Sequence, residues 1–306
     1  DNQNEGVNYI EVRFAPQLLI SESLSYEEIF CAVDRGFKRA QSEFNQLPEV
    51  LKGERPKFFY GIIACAMRFF NQHFSTYYRD FIAARNSQDP LKIRQAAAFE
   101  LAEKSVEIRD RRGIPIVGFD LAGEENGYPA TDFREAYQYA HHHFMHKTVH
   151  AGEAYGAESI FQAITSLHAD RMGHGYTLFD ESKVRNPVMI PALINYIAEK
   201  RITIEVCLSS NLQTNGELKT LKDHSLKRML ENKLSVSLCT DNRLVSHTSV
   251  TREIELALEN FDISQKQLSD IIVYGFKRSF YPGSYQEKRK YVRQIMNYYN
   301  KCLVES

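Results

Sequence analysis

The sequence predicts an α/β fold of the TIM-type (β/α)8 barrel class, and two observations support this. Seven short apolar, β-branched or aromatic segments alternate with longer charged segments whose apolar residues recur every three or four positions. Polar and reactive residues follow the short segments at their carboxyl ends, where parallel α/β proteins bind ligands. Because all seven units carry such residues, the pattern favours a closed barrel over an open sheet, in which only strands near the switch point form the site.

The short segments are nearly continuous in apolar character, which is typical of parallel strands covered by helices. In chain order the predicted strands are Val7–Ala15, Lys57–Phe69, Ile114–Gly123, Lys147–Glu153, Arg171–Leu178, Ile202–Asn211 and Leu234–Asn242. The predicted amphipathic helices between them are Tyr26–Glu43, Pro90–Arg111, Ala130–His146, Pro191–Lys200 and His224–Asn232.

No linker rich in proline, glycine or serine divides the chain, so we expect one barrel domain over residues 1–306 with a helical tail from about Ile263. Seven strands are one short of the eight that close a barrel of this class. Because the first predicted strand begins at Val7, we expect the first βα unit to precede Asp1. The chain would then contain strands 2 to 8 of the barrel.

Composition argues against several classes of partner. The 38 Lys and Arg residues nearly balance the 39 Asp and Glu residues, so nucleic acid is not an expected partner. The apolar stretches are too short to span a membrane. Five scattered cysteines without a CxxC pair favour a reducing, cytoplasmic location, and leave open whether a signal peptide precedes Asp1. The oligomeric state stays open.

Two strand ends carry histidines that could take part in chemistry. His150 and Glu153 form an H-x-x-E pattern that could bind a metal or move protons, although such a pair is often a buried histidine beside a surface carboxylate. His174 follows Gly173 and precedes Gly175, and these glycines would let a ligand approach the backbone. A histidine in a simple turn is the alternative.

Two further strand ends carry weaker signals. Asp241 and Asn242 follow the last strand, where Asp241 could bind a cation such as zinc and either residue could cap a helix. Gly123 could offer its backbone N–H to a planar ligand edge or serve an ordinary turn. The histidine-rich segment 141–146 is interpreted as a partly solvated helix end on the opposite side of the barrel, not as a metal site.

The order of these motifs is more specific than any one of them. The chain presents NYIEVRFAP, DLAGEE, HAGE, RMGHG, EVCLSSN and SLCTDN in succession. This succession resembles the adenosine deaminase family of zinc-dependent barrel amidohydrolases over nearly the whole chain. The resemblance implies hydrolytic deamination of adenosine and 2'-deoxyadenosine to inosine and ammonia, with Zn²⁺ as cofactor and a purine nucleoside as the small-molecule partner. No glycine-rich phosphate loop suggests an organic cofactor.

The resemblance also implies roles for individual residues. His150 and Asp241 would be zinc ligands, and Asp241 would also contact the attacking water. Glu153 would protonate the purine ring nitrogen, provided that burial raises its pKa. His174 would orient and support the attacking hydroxide. Gly123 would bind the far edge of the purine through its N–H.

The chain departs from the family pattern in two respects. Asn242 stands where the family usually has a second aspartate that contacts the purine imidazole nitrogen. Because an amide can donate to that nitrogen without first being protonated, we expect retained binding with an altered pH dependence.

The second departure is larger, because the family's first strand, whose His-x-His pair supplies two zinc ligands, is not found, and His141-x-His143 cannot replace it from the opposite side of the barrel. With His150 and Asp241 alone, the chain is expected to hold zinc poorly and to be inactive by itself. The alternatives left open are a deaminase of AMP, adenine or a modified nucleoside, and a non-catalytic nucleoside-binding barrel.

Overall fold

A computed structural model describes residues 1–184 and 186–305 of the chain. The described residues contain a sheet of seven parallel strands that pair in the order of the chain. Each of the seven predicted segments contains a strand, but β5, β6 and β7 are no longer than half of the predicted segments, and β4 begins one residue before its predicted start. The strands are β1 Tyr9–Phe14, β2 Phe59–Met67, β3 Ile116–Ala122, β4 His146–Ala151, β5 Arg171–His174, β6 Thr203–Val206 and β7 Ser235–Leu238.

Helices connect successive strands, as the alternation predicts. The α-helices are α1 Tyr26–Asn45, α2 Pro48–Leu51, α3 Thr76–Ala83, α4 Pro90–Arg112, α5 Arg134–His142, α6 Ala157–Thr165, α7 Met189–Lys200, α8 Leu208–Thr214, α9 Leu226–Glu231, α10 Arg243–Ser246, α11 Val250–Asn260, α12 Gln265–Lys277 and α13 Tyr285–Glu305. Short 3₁₀ helices cover Pro16–Leu18, Ala130–Phe133, Tyr176–Phe179, Glu181–Lys183 and Leu221–Asp223.

Local sequence sets the ends of the long helices. Ser25 and Glu28 form a capping box at the start of α1, in which each side chain accepts a hydrogen bond from the other residue's backbone N–H. At the start of α4, the Asp89 side chain accepts from the N–H of Leu91, and Pro90 occupies the first turn. Gly113 ends α4 in the left-handed conformation, with φ of +63°.

Three predicted segments differ in type over part of their length. The strand expected over Arg171–Leu178 ends at His174, because Tyr176–Phe179 forms a 3₁₀ helix. The segment Ala130–His146 was expected to be one helix, but α5 ends at His142 because Phe144 takes a φ of +55° and reverses the chain into β4. The strand expected over Ile202–Asn211 ends at Val206, because the next residues begin α8, where the Asn211 N–H donates to the Cys207 carbonyl. Ser209, Ser210 and Asn211 therefore lie on a helix.

The sheet is strongly curled. In a flat sheet with strands about 4.8 Å apart, β1 and β6 would be separated by about 24 Å. Arg13 on β1 nevertheless lies 2.5 Å from Glu205 on β6, and Glu11 on β1 forms an ion pair with Arg171 on β5. Side chains of distant strands therefore meet inside a partial barrel, while among the described residues β1 and β7 form the edges of the sheet.

Alternate residues of each strand face two different environments. On β2, Ile62 and Ala64 pack into the main apolar core together with Leu101 of α4. Cys65, the residue after Ala64, faces the other side of the strand and lies beside Asp120 in the barrel interior, where burial and the Asp120 charge raise the pKa of its thiol. The helices thus cover the outer face of the sheet, and polar groups occupy the inner face.

The segment after Ile263 is helical. α12 packs against β7, and α13 packs against α12. The hydroxyl of Tyr291 lies 2.8 Å from the carbonyl oxygen of Asn8, so α13 also contacts the residues that lead into β1. None of the helices in the described part of the chain combines the length and apolar character needed to cross a membrane.

Candidate active site

The residues predicted for the site lie at the carboxyl ends of four strands. Gly123 follows β3, His150 lies near the end of β4, His174 is the last residue of β5, and Asp241 follows β7. Because all strands are parallel, these ends share one rim of the curled sheet. The histidine-rich segment lies near the start of β4, at the opposite rim, as predicted.

Two of these residues have a strained backbone. His174 has a φ of +63° and Asp241 a φ of +51°, which places both in the left-handed region. That conformation costs a non-glycine residue about 1–2 kcal/mol, and such residues cluster at functional sites. The strain is consistent with a rim shaped for chemistry.

His150 is held by a buried carboxylate. Its Nδ1 lies 3.0 Å from Oδ2 of Asp120, which is fully buried on β3. Burial would lower the pKa of His150, but the charge and hydrogen bond of Asp120 raise it. Arg68 adds a second restraint, donating to the His150 carbonyl oxygen over 2.7 Å. Nε2 of His150 thereby makes no contact with this carboxylate. Carboxylates that hydrogen-bond one ring nitrogen of a metal-binding histidine leave the other nitrogen available to the metal in the same way.

Glu153 and His174 face one another across the rim. Oε2 of Glu153 lies 3.7 Å from Nε2 of His174, and its Oε1 accepts a hydrogen bond from the Thr214 hydroxyl over 3.0 Å. Burial lowers the pKa of His174, so that its imidazole is neutral near neutral pH. The Glu153 side chain is 27% exposed, so in this conformation its burial is partial.

Glu125 holds the loop that carries Glu153 in place. This buried carboxylate accepts hydrogen bonds from the N–H of Ala154 and of Tyr155, at 3.0 and 2.8 Å, and from the Ser159 hydroxyl. Gly152 has a φ of +73°, and a β-carbon there would lie 2.5 Å from the Ile160 side chain, so only glycine fits. Sequence analysis missed Glu125, although it belongs to the DLAGEE motif.

Asp241 is exposed, and its Oδ2 accepts a hydrogen bond from the Ser210 hydroxyl over 2.8 Å. The charge of Asp241 contributes to raising the pKa of His150, so the two side chains interact electrostatically. Asn242 caps α10, since its Oδ1 accepts from the N–H of Val245 over 3.3 Å. The helix-cap alternative is thus confirmed for Asn242, while its amide nitrogen keeps its two donor hydrogens.

Gly123 has a φ of +103°, and a β-carbon there would lie 3.6 Å from the backbone nitrogen of Arg68, which is an ordinary contact. Backbone conformation, not lack of space, therefore calls for glycine at this position.

Three more residues join the site through contacts that the sequence motifs did not indicate. Nδ2 of Asn211 lies 3.0 Å from Nδ1 of His174, and Oδ1 of Asn211 lies 3.2 Å from Nε2 of His224. The backbone N–H of Leu226 donates to Nδ1 of His224 over 3.0 Å. His224 was predicted only as the first residue of a helix, and α9 in fact begins at Leu226.

The side chains at the rim supply part of a zinc site. A catalytic zinc takes three ligands from the protein, and His150 and Asp241 supply a nitrogen and an oxygen of suitable type. Within residues 1–184 and 186–305, no group of three or more His, Cys, Asp or Glu side chains is placed to hold a metal ion. The described residues therefore do not complete a zinc site.

Comparison with known proteins agrees with these motifs. A family model described as Adenosine deaminase matches residues 1–298. Adenosine deaminase 1 of Streptomyces coelicolor is 34% identical over 284 residues, which cover 92% of this chain and 63% of that protein. Adenosine deaminase of Mycobacterium avium is 32% identical over 290 residues, covering 92% of this chain and 69% of that protein. The chain thus spans about two thirds of the length of these relatives.

Solved structures share the fold at low sequence identity. An amidohydrolase from Burkholderia ambifaria with bound Zn has a TM-score of 0.74 at 19% identity, covering 100% of this chain and 72% of that one. Adenine deaminase from Arthrobacter aurescens has a TM-score of 0.71 at 18% identity, covering 97% and 75%. Arabidopsis ADAL complexed with IMP has a TM-score of 0.71 at 22% identity, covering 97% and 74%. The seven-stranded parallel sheet is consistent with the TIM-type barrel of these deaminase neighbours.

The family match and the two relatives each span at least nine tenths of the chain. The rim motifs around Gly123, His150, His174 and Asp241 all fall inside the residues that the family model matches. Sequence, fold and rim thus agree, and the chain belongs to the adenosine deaminase family.

Proposed function

We propose that this rim catalyses hydrolytic deamination of adenosine and 2'-deoxyadenosine to inosine and ammonia. The observation that carries the proposal is the meeting of Glu153 and His174, 3.7 Å apart, on the rim that also bears His150 and Asp241. Family membership and the curated relatives support this choice of reaction. Water addition to a purine needs a proton donor, a group that orients the water and a metal that activates it. Glu153, His174 and the candidate ligands His150 and Asp241 are proposed for these three roles.

The reaction adds water to the purine carbon that bears the amino group. The water oxygen bonds to that carbon, and electron density moves onto the neighbouring ring nitrogen. Glu153 would donate its proton to this nitrogen and then receive the proton that the water gives up. The amine takes this proton from Glu153 and leaves as ammonia when the carbon–amine bond breaks. The hydroxyl on the same carbon gives its remaining proton back to Glu153, which restores the acid and leaves a carbonyl on the product. His174 would orient the attacking oxygen.

We propose Zn²⁺ as the cofactor, held in part by His150 and Asp241. Bound zinc would lower the pKa of water far below its usual value, to about 7. The bound Zn of the Burkholderia neighbour supports the choice of metal. Two donors are fewer than a catalytic zinc needs, so these two side chains alone would bind it weakly.

Gly123 and Asn242 are proposed to bind the base. The N–H of Gly123 would meet the far edge of the purine, and Nδ2 of Asn242 would donate to an imidazole nitrogen, because Oδ1 already caps α10.

The partial barrel is proposed to be strands 2 to 8 of a (β/α)8 barrel within one domain. The five cysteines, all free, support a reducing cytoplasmic location.

Ammonia release from a panel of purines tests the proposal. The full-length protein, supplied with zinc, is incubated with adenosine, 2'-deoxyadenosine, AMP and adenine, with and without a chelator. We expect turnover of the two nucleosides that the chelator abolishes. If the protein prefers adenine or AMP, the proposed substrate is wrong but the proposed reaction, hydrolytic deamination, is retained. The adenine deaminase and IMP-bound neighbours make these two purines the alternatives to test. Nucleoside binding without ammonia release would leave the non-catalytic alternative.

A further inference from the structure

A chain of hydrogen bonds runs from the backbone of α9 to the catalytic rim. It joins the N–H of Leu226, the imidazole of His224, the amide of Asn211 and the imidazole of His174, at donor–acceptor distances of 3.0, 3.2 and 3.0 Å. His174 and His224 are 2% exposed and Asn211 is fully buried. Water therefore has little access to these groups, and each must find its partner within the chain.

The direction of the first bond is fixed, because a backbone N–H can only donate. Nδ1 of His224, 3.0 Å from the Leu226 nitrogen, must therefore accept with its lone pair. Burial, with a smaller contribution from the His174 charge, lowers the pKa of His224 to about 3, so its imidazole is neutral. A neutral imidazole carries one N–H, which for His224 must be Nε2–H.

The orientation of the Asn211 amide follows from that proton. Nε2–H of His224 donates to Oδ1 of Asn211, which leaves Nδ2 of Asn211 facing Nδ1 of His174. The opposite orientation would set the amide N–H₂ against the N–H of His224, with no acceptor between them. Nδ1 of His174 therefore accepts a hydrogen bond from Asn211.

We propose that this chain of hydrogen bonds fixes His174 as its Nε2–H tautomer, and that Asn211 and His224 are positioning residues for the site. His174 would then present an N–H toward Glu153 and the reacting oxygen, as a hydrogen-bond donor and not as a base. The tautomer follows from the contacts alone, while its catalytic consequence rests on the proposed function.

The tautomer can be measured without zinc or substrate. In protein labelled with ¹⁵N-histidine, long-range correlations between the carbon-bound protons and the nitrogens of each ring identify which nitrogen carries the proton. His174→Gln and His224→Gln variants assign the two sets of signals. We expect both residues as Nε2–H tautomers near neutral pH. A His174 proton found on Nδ1 would overturn the proposal.

Two variants change the chain in opposite ways. In Asn211→Asp, the carboxylate can only accept, so we expect the His174 proton to move to Nδ1 and kcat to fall about 100-fold. In His224→Phe, the Asn211 amide can turn, so we expect a mixture of His174 tautomers and a fall in kcat of about tenfold. The KM should change by less than about threefold in both, because the lost interaction belongs to the transition state.

Control variants distinguish an effect on the position of His174 from an effect on folding. His224→Gln keeps an N–H near the Nε2 position and should restore the Nε2–H tautomer of His174 and most of kcat. Asn297→Asp, an exposed matched change on α13, should alter neither. Two results would overturn the proposal. One is an unchanged His174 tautomer in Asn211→Asp, and the other is a His224→Gln variant whose His174 tautomer and kcat match those of His224→Phe. If the tautomers are as expected but no purine is deaminated, the proposed function fails and the tautomer inference stands.

Discussion

Carboxylates occur both in the barrel interior and on its rim at the carboxyl ends of the strands, but they are buried and paired with arginines in the interior and more exposed on the rim. The interior ion cluster consists of Glu11, Arg13, Asp120, Arg171 and Glu205. Its carboxylates are at most 11% exposed, and each faces a guanidinium. On the rim, Glu153 is 27% exposed, Asp241 is exposed, and Asp241 and His174 have left-handed backbones.

This difference separates stability from reactivity. Glu205 is held ionised by its partners: burial would raise its pKa, but the charges of Arg13 and Arg171 hold that pKa below its usual range. Charges used in this way hold the curled sheet together and have little capacity left for a ligand. On the rim, Glu153 accepts one hydrogen bond from Thr214 and keeps a second oxygen directed at His174.

Breaking the interior ion cluster should have the largest effect. Arg171→Met leaves Glu11 and Glu205 without this buried partner and should lower the free energy of unfolding by about 3–5 kcal/mol. Urea denaturation measures the loss. The matched control is Arg252→Met, because Arg252 pairs with Glu255 and Glu259 on the exposed surface, and this variant should lose far less stability than Arg171→Met. Equal losses in the two variants would contradict a structural role of the cluster.

Changing the rim should affect turnover and spare stability. Glu153→Gln removes the proposed proton donor and should lower kcat about 100-fold, equivalent to about 2.7 kcal/mol. The free energy of unfolding should stay within about 0.5 kcal/mol, since the side chain is partly exposed. Glu199→Gln, on the exposed face of α7, should change neither quantity. Full activity of Glu153→Gln would remove Glu153 from the mechanism.

The interior cluster should also set the acid stability. Because the pKa of Glu205 is lower in the folded chain, the unfolded chain binds more protons in acid, and the free energy of unfolding rises with pH there. This contribution is complete above about pH 5, where an unfolded glutamate is ionised, and is lost as pH falls through the folded pKa. Glu205→Gln should flatten this acid dependence in urea titrations between about pH 3 and 7. An unchanged slope would contradict the assignment.

The smallest change concerns base recognition. Asn242→Asp should keep the α10 cap, since Asp and Asn cap helices about equally well. Its carboxyl can donate to a purine nitrogen only when protonated, so KM for adenosine should rise by a few-fold toward neutral pH and recover in acid. The comparison of pH profiles for wild type and variant measures this. An identical profile and KM would mean that Asn242 does not contact the base.

Local patterns predicted the strands and the order of the rim motifs, because apolar runs and strand-end polar residues are properties of short segments. Contacts that depend on curling and on long-range packing escaped prediction. Arg13 and Glu205 are 192 positions apart and meet only because the sheet curls. Asn211 was placed on a strand, which hid its position on α8 between His174 and His224. The zinc ligands and the one further strand that would complete a closed barrel stay predictions.

The central claim is that Glu153 and His174 form a hydrolytic deamination site. Turnover of adenosine in water enriched in oxygen-18, followed by mass spectrometry of the purine product, tests it most directly. We predict inosine with one oxygen-18 atom at the former amino carbon and one ammonia released per inosine, at a rate that Glu153→Gln reduces about 100-fold. Product without the label, or an equal rate in Glu153→Gln, would contradict the account.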